Sequence, residues 1–266
     1  MGVATLAASL ALAVSPIQFL QSHEANGAYA ESGGRSDPSL TAWAVLGLRA
    51  AGAPSPGSLA YLRAQEPALQ SPTDVALVAL AEQALGADAS ALRARLRPAP
   101  DGEIGGTLNA TFWGVLADGG ASAATRRFVL AHQARSGGFA WYAGGRPDSN
   151  DTAAALEALR VAGVQGAPVR RAVRFLRTFE NRDGGFELTR GRGSDAQSTA
   201  WAIQGLVAAG VAPPHAAFRY LASLRQPDGS YRYSKRYATT PVWVTSQVLA
   251  ALARQPFPLR EVLHTR

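Results

Sequence analysis

The residues of this 266-residue chain that can do chemistry are carboxylates, aromatics and arginines. Glu103, Asp148, Asp151, Glu187 and Asp195 all fall at one predicted loop end. Two facing carboxyls would supply the acid and base of glycan cleavage, but no spacing in the sequence pairs any two of them. Asp148 and Asp151 read instead as a loop anchor and a helix cap, and Asp195 likewise stands at a helix start, where a carboxylate meets free N–H groups. There is no cysteine, so no thiolate nucleophile, thiolate metal site or disulfide exists. His23, His132, His215 and His264 lie too far apart for a zinc motif. No metal and no cofactor is implied.

A second set of residues suits binding. Trp141, Tyr142 and Arg146 share the run FAWYAGGRPDSND, and Tyr233, Lys235 and Tyr237 share YRYSKRYATT. Neither run offers much helix in which to bury an aromatic. Matching chemistry in two separate loops points to one face, with Tyr29, Arg190, Arg192 and Arg236 beside it. Such a face fits an unidentified small molecule with apolar or anionic parts, or a protein. Trp43, Trp113 and Trp201 read as core, because two of them follow a Thr-Ala pair and repetition argues for packing. The net charge is +7 with a pI near 10.3, yet Lys235 is the sole lysine. Arg170, Arg171, Arg174, Arg177 and Arg182 have the spacing of a helix's solvent face; a phosphate or acidic-polymer patch is the alternative. Nucleic acid is not the expected partner.

An internal repeat must position these residues. Gly184-Gly185-Phe186, Asp195 and a small-residue helix ending at Gly210 recur in the same order elsewhere. The copies run through Gly27, Tyr29, Asp37 and Thr41-Ala42-Trp43; through Gly137-Gly138-Phe139, Asp148 and Thr152-Ala153; and through Gly229, Tyr231 and Thr245. Weaker copies begin at Tyr61-Leu62 and Leu92. Each unit holds a short amphipathic helix, a glycine turn with Gly185 expected at positive φ, an aromatic that plugs the gap between hairpins, and a nearly all-apolar helix that must be buried. A period of about 40 residues is that of a helical hairpin. The chain is therefore read as all-α, an α/α toroid (α6/α6 barrel) of about six hairpin repeats spanning residues 16–266 as one domain. Closure is preferred to an open solenoid because the first and last units show no polar cap. Residues 1–15 read as a secretory signal or a leading helix: Val3 to Val14 is apolar and Ala11-Leu12-Ala13 resembles a cleavage site, although the positive n-region is missing. Export is the expectation, with a cytoplasmic location as the alternative. No segment is long enough to be a clear transmembrane helix.

These units resemble the prenyltransferase and squalene oxidase repeat of the terpenoid-cyclase and protein-prenyltransferase toroid superfamily. Phe175-Leu176 with Asp183-Gly184-Gly185-Phe186, and Tyr220-Leu221 with Gln226-Pro227-Asp228-Gly229-Ser230-Tyr231, carry the likeness. The second is similar to the QW motif of squalene cyclases. The resemblance implies an all-α ring with inner helices that all point their N-termini to one end. It also implies a test of each family chemistry. Class II terpene cyclases protonate an alkene from the third residue of DxDD. Here the match is Asp148-Ser149-Asn150-Asp151, with an amide in the acid's place. Those cyclases usually work between two toroid-like domains, and one fits in this chain. Prenyltransferases and thioester domains need a cysteine. The resemblance thus implies a binding or interaction module without an intact catalytic set. The alternative is a diverged squalene-hopene-like cyclase or isomerase using Asp148, Asp151 or Asp195. A carboxylic acid inside a closed aromatic pocket would favour the alternative; a centre filled by Ala and Leu would favour the module.

Overall fold

The structure is a computed structural model and describes residues 14–259. Its helices come in pairs along the chain: α1 (Pro16–Ser22) and α2 (Pro38–Ala50), α3 (Ser58–Gln65) and α4 (Pro72–Ala84), α5 (Ser90–Ala94) and α6 (Leu108–Asp118), α7 (Ala123–Ala131) and α8 (Ser149–Val161), α9 (Ala167–Arg177) and α10 (Ala196–Ala208), α11 (His215–Ser223) and α12 (Pro241–Leu252). The even-numbered helices are almost wholly buried. Each packs on the next, and α12 packs back on α2, so they form a closed ring. The odd-numbered helices lie outside and pack on that ring. The expected all-α toroid of six hairpins is the observed fold. One two-residue hairpin, β1 (Glu24–Ala25) with β2 (Ala28–Tyr29), precedes α2. The segment read as a signal lies outside the described residues as far as residue 13; Ser15 is the N-cap of α1 in a capping box with Gln18. Arg170, Arg174, Arg177 and Arg182 are exposed, as a solvent face requires.

The repeat has a simple local cause. One threonine near the start of an inner helix holds the backbone of the residue that plugs the hairpin. Thr41, Thr152, Thr199 and Thr245 Oγ1 accept the N–H of Tyr29, Phe139, Phe186 and Tyr231 at 2.9–3.0 Å. Thr111 does the same for Ile104 at 3.0 Å. All five plugs are buried. Tyr29, placed by the sequence reading on the binding face, is one of them; its hydroxyl donates to Ser55. The glycine expectation needs correcting. The residue at positive φ is Gly184 (84°), not Gly185. A Cβ on Gly184 would meet the Ala216 backbone at the start of α11. Gly185 is glycine for space alone, since a Cβ there would sit 2.6 Å from Ser194 Cβ.

Ring closure depends on Gly47. A Cβ on it would lie 2.3 Å from the Ser246 carbonyl oxygen, so the first and last inner helices touch backbone to backbone. Gly47→Val should lower unfolding free energy by about 3 kcal/mol, the scale of severe overpacking. Chemical denaturation followed by far-UV circular dichroism checks this; an unchanged midpoint would show that the helices do not meet there.

Candidate functional site

The inner helices all begin at the same end of the ring, and their first turns line a cavity of about 860 Å³. The threonine register explains which side chains reach it. Two residues before the threonine stand Ser39, Asn109, Asn150, Gln197 and Trp243, with Thr73 at the same position on α4, and all six line the upper wall. Two residues after it stand Trp43, Trp113, Ala154, Trp201 and Gln247, with Leu77 on α4, and these line the floor. Tryptophan thus comes from alternate helices, α2, α6 and α10, separated by smaller side chains. The three indoles meet edge to face, with ring centroids 5.5–5.8 Å apart and interplanar angles of 86–89°. The reading of these tryptophans as core is half of their role: they are buried, and they are also the cavity floor. Beneath them Phe257, fully buried, packs against Trp43 and Trp113. Its N–H donates to Glu157 and its carbonyl accepts from Arg160, both on α8. The ring is therefore a cup, shut at its C-terminal end.

Three of the capping aspartates were legible in sequence. Asp37, Asp148 and Asp195 are the N-caps of α2, α8 and α10, accepting N–H groups at 2.7–2.8 Å. Ser71 and Thr107 cap α4 and α6. At α12, where Thr240 makes no cap bond, the Glu31 carboxylate from the first repeat accepts the N–H groups of Val242 (3.1 Å) and Trp243 (2.9 Å). Every inner-helix N-terminus is thus satisfied by a side chain of the chain itself.

Asp148 and Asp151 both line the cavity; Asp195 lines a neighbouring groove. Asp148 Oδ1 accepts the Asp151 N–H at 2.8 Å, and Asn109 Nδ2 donates to Asp151 Oδ1 at 2.8 Å. Burial, then the neighbouring Asp148 charge, push the Asp151 carboxyl up to about 8; the Asn109 bond opposes them. Burial also raises Asp148, against the stabilising N–H of Asp151. Asp151 therefore keeps its proton to higher pH than an ordinary aspartate does. Burial raises Asp195 too, against bonds from Ser198. Asn150 lines the cavity and accepts from Ser149 Oγ at 3.1 Å. Glu187 is buried and accepts the Gly193 N–H, and neither it nor Glu103 lines the cavity. Among the described residues no cluster of three or more His, Asp or Glu is placed to hold a metal.

The structure divides the two aromatic loops. Trp141 stands at the cavity rim, 52% exposed, with its carbonyl accepting the Asn109 N–H. Tyr142 and Arg146 are exposed on the same loop and line neither cavity nor groove. Tyr233, Lys235 and Tyr237 come together in the groove of about 940 Å³, which meets the cavity at Gln197, Thr240 and Trp243. There Lys235 pairs with Asp183 at 3.5 Å and lies over Tyr220, while Arg236 lies over Tyr237. Asn109, Trp243 and Gln247 were passed over in sequence. The signal that marks Asn109 and Gln247 is their offset from the anchoring threonine.

No protein-family model matches the sequence, and no curated protein sequence does. Solved structures do match. A protein from Actinoplanes superposes with a TM-score of 0.69 at 18% identity, over 90% of this chain and 97% of that one. The type II terpene cyclase MstE from Scytonema, in complex with geranylgeranyl dihydroxybenzoate as substrate, gives 0.65 at 15% identity, over 90% and 95%. The fold is that of the type II terpene cyclases. It is not theirs alone, since a glycosidase matches at 0.64 and 13% identity over 90% and 94%. The ent-copalyl diphosphate synthase of Streptomyces platensis matches at 0.57 and 20%, and this chain spans half its length. The MstE chain is matched over 95% of its length, so a type II terpene cyclase chain can be of this size.

Two outcomes test the site. Trp141→Ala with Tyr237→Ala should change stability by less than about 0.5 kcal/mol, because both rings are half exposed; a large drop in Tm would make them core. A carboxyl whose folded pKa stands above its ordinary value binds its proton more tightly when folded. Asp151 (3.8 to about 8) and Glu157 (4.5 to about 8) therefore subtract stability as pH rises between those values. Tm should fall from pH 5.5 to 8.5, and Asp151→Asn should flatten part of that slope; an unchanged slope would place Asp151 in solvent.

Proposed function

We propose that the toroid binds a neutral, polyene-like small molecule in the tryptophan-floored cavity and starts its cyclisation or isomerisation by proton transfer from Asp151. One observation carries this reading: the buried Asp151 carboxyl, beside Asp148 and hydrogen-bonded by Asn109, lines a cavity whose floor is aromatic and aliphatic, and burial raises its pKa. The Asp151 O–H bond breaks as a C–H bond forms on the alkene, which leaves a tertiary carbocation and a carboxylate. The Asn109 amide stabilises that carboxylate, and the faces of the indole rings attract the cation. Attack by a second alkene closes a ring and passes the cation along the chain; loss of a proton from the adjacent carbon, to the Asp151 carboxylate or to water, forms a new alkene and ends the sequence. MstE holds geranylgeranyl dihydroxybenzoate as substrate and merosterolic acid A as product, as its complexes state, so a toroid of this fold can take a polyene chain. The carboxylates Glu31, Asp37, Asp74 and Asp148 line the cavity with one arginine, Arg35. This charge balance and the capped N-termini favour an apolar ligand over an anionic one.

The second reading is a binding module without chemistry. Asn150, in the position where DxDD cyclases carry their acid, favours it, and the Tyr233–Lys235–Tyr237 groove would give it a docking face. Export belongs to either reading and rests on the sequence from Val3 to Val14 alone. Among the described residues no helix is long and apolar enough to cross a membrane.

Purified protein incubated with geranylgeraniol should yield cyclic or isomerised product detectable by mass spectrometry. Asp151→Asn should reduce it by about 100-fold or more. The rate should fall on the alkaline side near pH 8, as Asp151 ionises. Asp148→Asn keeps a capping side chain and removes a charge, so it should move that limb to lower pH. Binding of the polyene with no product from the wild type would leave the binding module.

A further inference from the structure

The floor of the cavity contains one polar exception. Of the six side chains at the position two residues beyond the anchor, five are tryptophan, leucine or alanine. The sixth is Gln247 on α12. It is 1% exposed, lines the cavity, and neither its amide oxygen nor its amide nitrogen has a hydrogen-bond partner. A buried amide left unpaired is costly, and the same position on the other helices is filled without such a cost. Several polar groups of the wall are already engaged: Asn109 on Asp151, Asp74 by Ser39, and Asp148 on the Asp151 N–H. Gln247 alone presents both a donor and an acceptor to the apolar floor.

We propose that Gln247 docks an alcohol hydroxyl on an otherwise apolar ligand, so that the substrate class is an oxygenated polyene and not a plain hydrocarbon. This rests on the cavity reading given above. A hydroxyl can pair with both ends of the amide, accepting from one Nε2–H and donating to Oε1. Gln247 lies three residues further from its helix start than Asp151 does, in the threonine register. At the rise of an α-helix that is about 4.5 Å deeper. An oxygen held there leaves the hydrocarbon chain to run up the cup past the Asp151 carboxyl. Gln247 is thus a positioning residue that sets which end of the ligand faces the acid.

Farnesol and farnesene share a carbon skeleton; farnesene has a fourth double bond where farnesol has its hydroxyl. Titrating each against the full-length protein, with quenching of tryptophan fluorescence as readout, separates the two parts of the reading. The wild type should bind farnesol about five- to tenfold more tightly than farnesene. Gln247→Leu and the closer isostere Gln247→Met should erase that preference by weakening farnesol alone, with Tm held or raised. Equal binding by the wild type, or a preference that survives both variants, would overturn the assignment. If neither ligand binds, the cavity reading falls with it. An intact alcohol preference in a protein that forms no product would sink the acid chemistry and leave the docking role standing.

Discussion

The structure depends on closing a ring that the chain itself leaves open. Nothing covalent joins the last inner helix to the first. Three contacts hold them. Gly47 lets α2 and α12 approach backbone to backbone. Glu31 reaches from the first repeat to take the free N–H groups of α12. Gly229, at positive φ, packs against the Ser15 carbonyl before α1, so the outer layer closes at the same seam. Without the sixth wall no axis exists for the tryptophans to meet on, and the apolar sides of α2 and α12 would face water.

Within the closed ring, scaffold and chemistry occupy different positions of one repeat. The threonine, the plug behind it and the turn glycine recur because each solves the same local problem. Residues two before and two after the threonine line the cavity and are free to differ. There the repeats supply Ser39, Asn109 and Trp243 above, and Trp43, Ala154 and Gln247 below. Alternation of large and small around the floor fills the centre without strain, since six tryptophans at that radius would not fit.

Helix dipoles shape the electrostatics of the mouth. Six helix starts would concentrate partial positive charge, but side chains of the chain itself take up each set of N–H groups. Burial toward the apolar centre raises the pKa of the cap Asp148 and of Asp151, whose N–H it accepts. One arrangement thus caps the helix and sets a carboxyl of raised pKa in the cavity.

The order of helices, the toroid, the plugs and the aspartate caps were legible in the sequence, because each follows from interactions within about 40 residues of chain. Asp148 as a cap needed only its neighbours Ser149 to Asp151. The site was legible in part. Asp151 was named as a candidate on a motif, but its partner Asn109 stands 42 residues away on another helix, and the charge state of the acid follows from that packing. Trp43, Trp113 and Trp201 looked like core from any one repeat; only their convergence on the axis makes them a floor. Tyr29 looked like a surface aromatic until the fold buried it. Local periodicity specifies which face of a helix is apolar, and that the sequence determined by itself. Which side chains share a cavity is set by how six faces meet around an axis, and only the tertiary structure decided that.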